Sequence, residues 1–324
     1  MKIDVFCHIM PPKYEESLRK KSPGSGPTLN FPALANLDLR FRVMDAYPDY
    51  RQVPSVIAPI AEAVAGPDQS PELCRLANDT LAELVSRYPD RFIAGIAVLP
   101  MNNMEAALRE TERAIKELGF RGLLLRSSIN GKPLDAPEFM PLYEMMARFD
   151  LPIWLHPRRE AVSDYPGEQG SKFWAFSLWG WPYETTVAMT RLVFSGVFDR
   201  WPNLKIITHH AGAMVPFFEK RITSMYGATS ASGRPFGENL KRPILDYFRM
   251  FYNDTAVNGS TAALMCAHSF FGADRLLFGT DAPMDADLGD SSIGDTIRSV
   301  EGMTIPQAEK EKIFEGNARK LLWL

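Results

Sequence analysis

Eight short runs of β-branched and apolar residues recur along this chain, at 3–5, 53–58, 92–99, 122–125, 153–156, 205–209, 250–253 and 276–278. Amphipathic stretches with apolar residues three and four apart separate several of them, at 72–87, 104–118, 185–198 and 260–271. Strands that alternate with helices pair in parallel, because a parallel neighbour is reached only through a long crossover. Eight such units predict an α/β chain closed into a (β/α)8 TIM barrel. No linker, repeat or low-complexity tract interrupts the pattern, so residues 1–324 read as one barrel domain.

The irregular stretches 11–37 and 163–181 are long for connections in a compact domain, and both are expected to cover one mouth of the barrel. Within the first, Arg19-Lys20-Lys21 reads as a solvated loop. The tail, 305–324, predicts two closing helices.

Charge excludes some partners. The chain holds 36 basic against 39 acidic residues and is 46% hydrophobic, with no basic stripe, so no nucleic-acid partner is expected. The first residues lack the leader pattern of a signal peptide and no run reaches the length of a membrane span, which predicts a cytoplasmic protein with no membrane partner. Cys7, Cys74 and Cys266 are odd in number and far apart, so neither a disulfide framework nor a structural zinc cluster is expected.

Catalytic groups of such barrels project from the C-terminal ends of strands. His8, His156 and the pair His209-His210 follow predicted strands, and Asp281 follows Leu276-Leu-Phe-Gly-Thr280. The chain has only five histidines, and four lie at strand ends. A single histidine after a strand is more often a loop hydrogen-bonder than a ligand, but together with a carboxylate these imidazoles suit zinc, or manganese or iron. His268 falls inside a helical pattern and is read as structural. The aromatic run Phe173-Trp174-Ala-Phe176-Ser-Leu-Trp179-Gly-Trp181 offers Trp174 and Trp179 as flat faces for a planar substrate, or as the filling of a dimer interface. Arg158 and Arg159 attract an anionic substrate or solvate the rim.

Several motifs carry a resemblance. Met1-Lys-Ile-Asp-Val-Phe-Cys-His8-Ile-Met-Pro11 resembles the opening of the amidohydrolase-2 family, which contains aminocarboxymuconate semialdehyde decarboxylase and the γ-resorcylate-type decarboxylases. Pro152-Ile-Trp-Leu-His156-Pro157 is similar to its metal-histidine strand. Lys205-Ile-Ile-Thr-His-His210-Ala-Gly212-Ala-Met-Val-Pro216-Phe217 resembles its H-x-G segment, and Gly279-Thr-Asp281-Ala-Pro283 its G-[ST]-D-x-P motif.

The resemblance implies that His8, His156 and Asp281 bind one divalent metal ion, foremost zinc, and that His210 and Asp281 are catalytic. It also implies substrate-carboxylate binding by Arg221, reaching into a neighbouring subunit's site, and by Arg40, with Arg42 an equal competitor, in a homodimer or higher homo-oligomer. The reaction implied is non-oxidative decarboxylation of a small planar carboxylic acid, aromatic or muconate-like. Hydrolysis of a lactone or amide uses the same residues. One departure stands out: the family's H-x-H opening has Phe6 at its first position here. The metal is then held by fewer ligands plus water, or by His210 or another recruited side chain; otherwise the barrel is a ligand-binding protein without catalysis.

Overall fold

A computed structural model describes residues 1–21, 31–57, 61–159, 162–232 and 240–324. The first strand, Lys2–Ile9, pairs in parallel with Tyr50–Val56. Next comes the segment holding Phe92 and Ile96, which bridges to Gln52 and Ser55. Ala97 then bridges to Leu123, opening a parallel series in the order Leu123–Arg126, Ile153–His156, Ile206–Thr208 and Tyr252–Asn253. Asn253 bridges to Leu276. The ring closes where the Val5 amide donates to the Phe278 carbonyl at 2.9 Å and the Asp281 amide to the Phe6 carbonyl at 2.8 Å. All eight predicted runs thus occupy successive places around a (β/α)8 barrel.

Two of the runs, 92–99 and 276–278, join through isolated bridges instead of forming regular strands. Ala58, at the end of the second run, and residues 22–30 of the first long stretch lie outside the described residues. That stretch is also less irregular than expected, with a helix at Pro12–Lys21 and a 3-10 turn at Pro32–Leu34. Arg19 and Lys20 therefore sit on a helix, where they pair one turn back with Glu15 and Glu16. The tail forms Gln307–Glu311 and Asn317–Leu322 with a π-helical turn, Lys312–Gly316, between them. Among the described residues no helix is long and apolar enough to cross a membrane.

The barrel interior is filled by side chains. Trp154 is fully buried and its indole N–H donates to the Val5 carbonyl at 2.6 Å, tying facing strands together. Gly122 makes room for it, since a Cβ there would lie 2.5 Å from the indole and 2.2 Å from the Pro152 carbonyl oxygen.

A buried polar chain fixes the strand that carries His8. The Arg40 guanidinium donates to the His8 carbonyl at 2.7 Å and to Gln52 Oε1 at 2.8 Å. Gln52 donates to the Tyr50 hydroxyl at 2.7 Å, and Tyr50 to Asp4 Oδ2 at 2.5 Å. Asp4 also accepts from the Thr280 hydroxyl at 2.5 Å and from the amides of Phe6 and Thr280. Burial pushes the Asp4 carboxyl up to about 6 in spite of these donors. Asp4 thereby fastens the first strand to the turn that presents Asp281, so two distant segments of sequence are held in one register.

Candidate metal centre

His8 and His156 lie at the C-terminal ends of their strands, His209 and Asp281 follow a strand and a bridged segment, and all four converge at the C-terminal mouth of the barrel. One ring nitrogen from each of His8, His156 and His209 lies within 4.8 Å of the others, and the same holds for the ligand atoms of His209, His210 and Asp281. His8 and His209 are almost completely buried.

The hydrogen bonds on the far side of each ring select its tautomer. Ser55 donates its hydroxyl to the Cys7 carbonyl at 3.2 Å, so it accepts from His8 Nδ1 at 3.0 Å. His8 Nε2 is left with a lone pair and no hydrogen-bond partner among the described residues, yet it stands 3.0 Å from Asp281 Oδ1. Burial lowers the His8 pKa, which keeps the ring neutral. A lone pair facing a carboxylate at this distance is repulsive unless a cation lies between them, so the donor set fits a divalent metal ion. His156 Nδ1 lies 2.7 Å from the Pro157 carbonyl, the backbone partner usual for a ligating imidazole. Burial and the neighbouring Arg126 charge hold the His156 pKa well below its ordinary value.

His209 is the ligand candidate that the motifs did not single out. Its Nδ1 is hydrogen-bonded to Asp254 Oδ2, and its Nε2 is 3.5 Å from Asp281 Oδ1. Asp254 is itself pinned by the amides of Ala211 at 3.0 Å and Ala256 at 3.1 Å. Burial opposes protonation of His209, but the Asp254 and Asp281 carboxylates together push its pKa up to about 9 in the metal-free chain. Asp281 would likewise be raised by burial, and the charge and hydrogen bond of His209 instead hold it well below the usual carboxylate range.

Phe6 accounts for this arrangement. Its ring stacks on His209 with centroids 4.1 Å apart and planes 7° from parallel, and it meets His8 edge-on at 5.9 Å. Phe6, at the position where the resemblance expects a first ligand, therefore forms the floor under His209, which follows another strand. Gly279 is required here, because a Cβ would come within 2.8 Å of Phe6 Cβ and 2.9 Å of Asp254 Cβ.

His210 turns away from its neighbour at the start of a left-handed stretch, with positive φ at His210, Ala211, Gly212 and Ala213. Such a run of left-handed residues is strained and is a common feature of functional turns. The His210 ring centroid stays 3.8 Å from that of His209, and its Nδ1 is buried with no partner among the described residues. Burial, followed by the His209 charge, pushes the His210 pKa down to about 3, so the ring is neutral.

The other expected residues fall outside this cluster. Arg40 is buried against backbone and supports the first strand, so it is not an exposed receptor for a substrate carboxylate. Its competitor Arg42 is exposed. Trp174 and Trp179 are 68% and 70% exposed, which takes them off the cluster itself. Trp181 instead meets His156, at 6.4 Å between centroids, and is linked through Phe176 to Trp174. Arg221 is exposed on the helix Glu219–Ala231 and has no partner among the described residues. Arg159 is engaged by Glu184 at 3.1 Å, and His268 by Glu309 at 2.6 Å.

A sequence model of the family described as Amidohydrolase matches residues 3–324. The chain belongs to that family. It is 36% identical over 322 residues to a γ-resorcylate decarboxylase of Polaromonas sp., covering 96% of this chain and 95% of the relative. It is 30% identical to a 2-amino-3-carboxymuconate-6-semialdehyde decarboxylase of Dictyostelium discoideum, covering 100% and 92%. Among solved structures, a dihydroxybenzoic acid decarboxylase of Polaromonas sp. with bound manganese and the inhibitor 2-nitroresorcinol superposes with a TM-score of 0.83 at 34% identity, covering 100% of this chain and 97% of that one. This amidohydrolase is an enzyme, and its barrel is the family's barrel.

Proposed function

We propose that residues 1–324 form a single metal-dependent unit that removes CO2 without oxidation from a small aromatic carboxylic acid. The observation that carries this reading is the neutral, unpartnered His8 Nε2 set against the Asp281 carboxylate, with His156 and His209 beside it. We assign the metal to His8, His156, His209 and Asp281, a set of three imidazoles and one carboxylate that suits zinc, although the Polaromonas relative was solved with manganese.

When bound, the ion polarises the carboxylate and a neighbouring hydroxyl of the acid. The chain's own residues do the rest. As the bond to CO2 breaks, its electron pair stays on the ring carbon, and a proton must be delivered there. We assign the relay of that proton, taken up from solvent, to Asp281, beside His8 and His209, and to His210, whose Nδ1 is buried without a partner among the described residues. Trp181, on the edge of His156, gives a planar substrate an apolar wall.

The test is elemental analysis of the purified protein followed by CO2 release from a panel of hydroxybenzoic acids. About one divalent ion per chain and CO2 release that depends on it are expected. Cleavage of lactones or amides with the acids inert would sink the reading.

We further propose that a second copy of the chain covers the exposed aromatic face of Phe173, Trp174, Trp179 and Phe217, bringing Arg221 to the partner's mouth. Sedimentation at the mass of a dimer or larger is expected, and a monomer would remove this role.

A further inference from the structure

The turn at 279–282 presents Asp281 in a left-handed conformation, with a φ of 63°, which a residue carrying a Cβ adopts only at a cost. Its backbone is clamped by its neighbours. The Asp281 amide donates to the Phe6 carbonyl and the His8 amide to the Ala282 carbonyl, both at 2.8 Å, while the Gly279 amide donates to the Thr255 hydroxyl at 3.0 Å. Thr280 closes the turn from within, its hydroxyl oxygen accepting from the Ala282 amide at 3.1 Å across Asp281. The proton of that same hydroxyl goes to Asp4 Oδ2 at 2.5 Å, and this bond fixes which way the Thr280 side chain faces.

Asp4 is fully buried and makes no ion pair among the described residues, so burial disfavours its charge. The amides of Phe6 and Thr280 converge on its Oδ1, and the hydroxyls of Tyr50 and Thr280 on its Oδ2. A carboxylate kept in a core without a cation is costly, and packing alone would be served as well by an apolar side chain. The two ends of its bonds show what the charge holds in place. Through Thr280 it reaches the turn of Asp281, and through Tyr50, Gln52 and Arg40 it reaches the carbonyl of His8. Asp281 Oδ1 and the lone pair of His8 Nε2 face one another at 3.0 Å, a spacing they would not keep unaided.

We propose that Asp4 is a positioning residue of the metal centre: through the Thr280 hydroxyl it holds Asp281 against His8 in spite of their mutual repulsion, so that the ligands stand in place before an ion enters. An ion then binds without reordering the chain, which raises its affinity. Asparagine cannot take the part of Asp4. The Tyr50 hydroxyl already accepts from Gln52 at 2.7 Å and the Thr280 hydroxyl from Ala282, so both hydroxyl protons need an acceptor. An amide offers one oxygen where the carboxylate offers two, and its nitrogen would face donors.

This inference rests on the metal-dependent decarboxylase reading, and metal binding separates the two. Competition of the full chain with a chromogenic chelator for Zn2+ reads affinity without turnover, and the visible spectrum of the Co2+-loaded chain reports how its ligands are arranged. Asp4→Asn and Thr280→Val are each expected to weaken Zn2+ binding by about 10–100-fold, the range for outer partners of metal ligands, and to shift the Co2+ bands. Thr280→Ser keeps the hydroxyl and is expected to bind as the wild type does. The double variant of Asp4→Asn and Thr280→Val is expected to lose less than the two single losses combined, because both cut one link. Melting temperatures check folding, and the two Thr280 variants carry the test should Asp4→Asn not fold. Wild-type affinity and spectrum in folded Asp4→Asn or Thr280→Val, or fully additive losses, overturn the proposal, as does a wild-type chain that binds no Zn2+. If the losses are seen while no hydroxybenzoate releases CO2, the positioning role stands and the reaction assignment falls.

Discussion

Replacing His209 by glutamine is expected to strip the protein of its metal and to lower CO2 release by at least about a thousandfold. Glutamine keeps an N–H for Asp254, whereas alanine would leave that buried carboxylate unpaired and cost about 3–5 kcal/mol of stability. The imidazole lone pair is what glutamine removes. With Phe6 unable to coordinate, the proposed ligand set of His8, His156, His209 and Asp281 drops to three. Elemental analysis after dialysis is the primary measurement, with the melting temperature as control. Asp254→Asn, which loosens the ring without removing it, is expected to weaken metal binding by only about 10–100-fold. A His209→Gln protein that keeps its metal and its rate would show that His209 is a packing residue stacked on Phe6.

Asp281→Asn is the second large effect. The substitution preserves shape and removes a charge that His209 holds in the ionised form. Loss of a proton-moving carboxylate lowers kcat by about 10²–10⁴-fold, and here the weakened metal adds to that. His210→Ala is expected to lower kcat over the same range while leaving the metal content unchanged, because His210 is read as a proton-moving group and not as a ligand. The pair of variants thus separates ligation from proton transfer. An Asp281→Asn enzyme within tenfold of the wild-type kcat would refute the assignment.

The site divides by the range over which each of its features is encoded. The barrel was legible because strand and helix periodicities are local, and the alternation of the two admits few architectures. His8, His156 and Asp281 were legible for the same reason: each ends a short apolar run, and in a parallel barrel such ends share one mouth. The regular strand expected at 92–99 was overstated, since an apolar run does not specify how many of its amides find partners across the sheet.

Which of two adjacent histidines joins His8 and His156 was not legible. Both rings lie within reach of Asp281, and the left-handed turn from His210 to Ala213 sets how each presents its nitrogens. Asp254 follows a two-residue strand and belongs to no motif, yet it orients His209 across 45 positions of sequence. Arg126, whose charge helps to hold His156 neutral, carried a readable signal in closing a run of leucines, but its place beside His156 is set by strand register alone. Arg40 shows the converse: a motif drew it to the substrate, and the fold turned it onto the His8 backbone. The sequence by itself therefore determined the barrel, its mouth and three of the four ligand candidates, because these follow from local periodicity and position along the chain. Only the tertiary structure decided that Phe6 stacks on His209 and that His209 stands beside His8 and His156, because stacking, tautomer and charge depend on neighbours that the chain brings together only on folding.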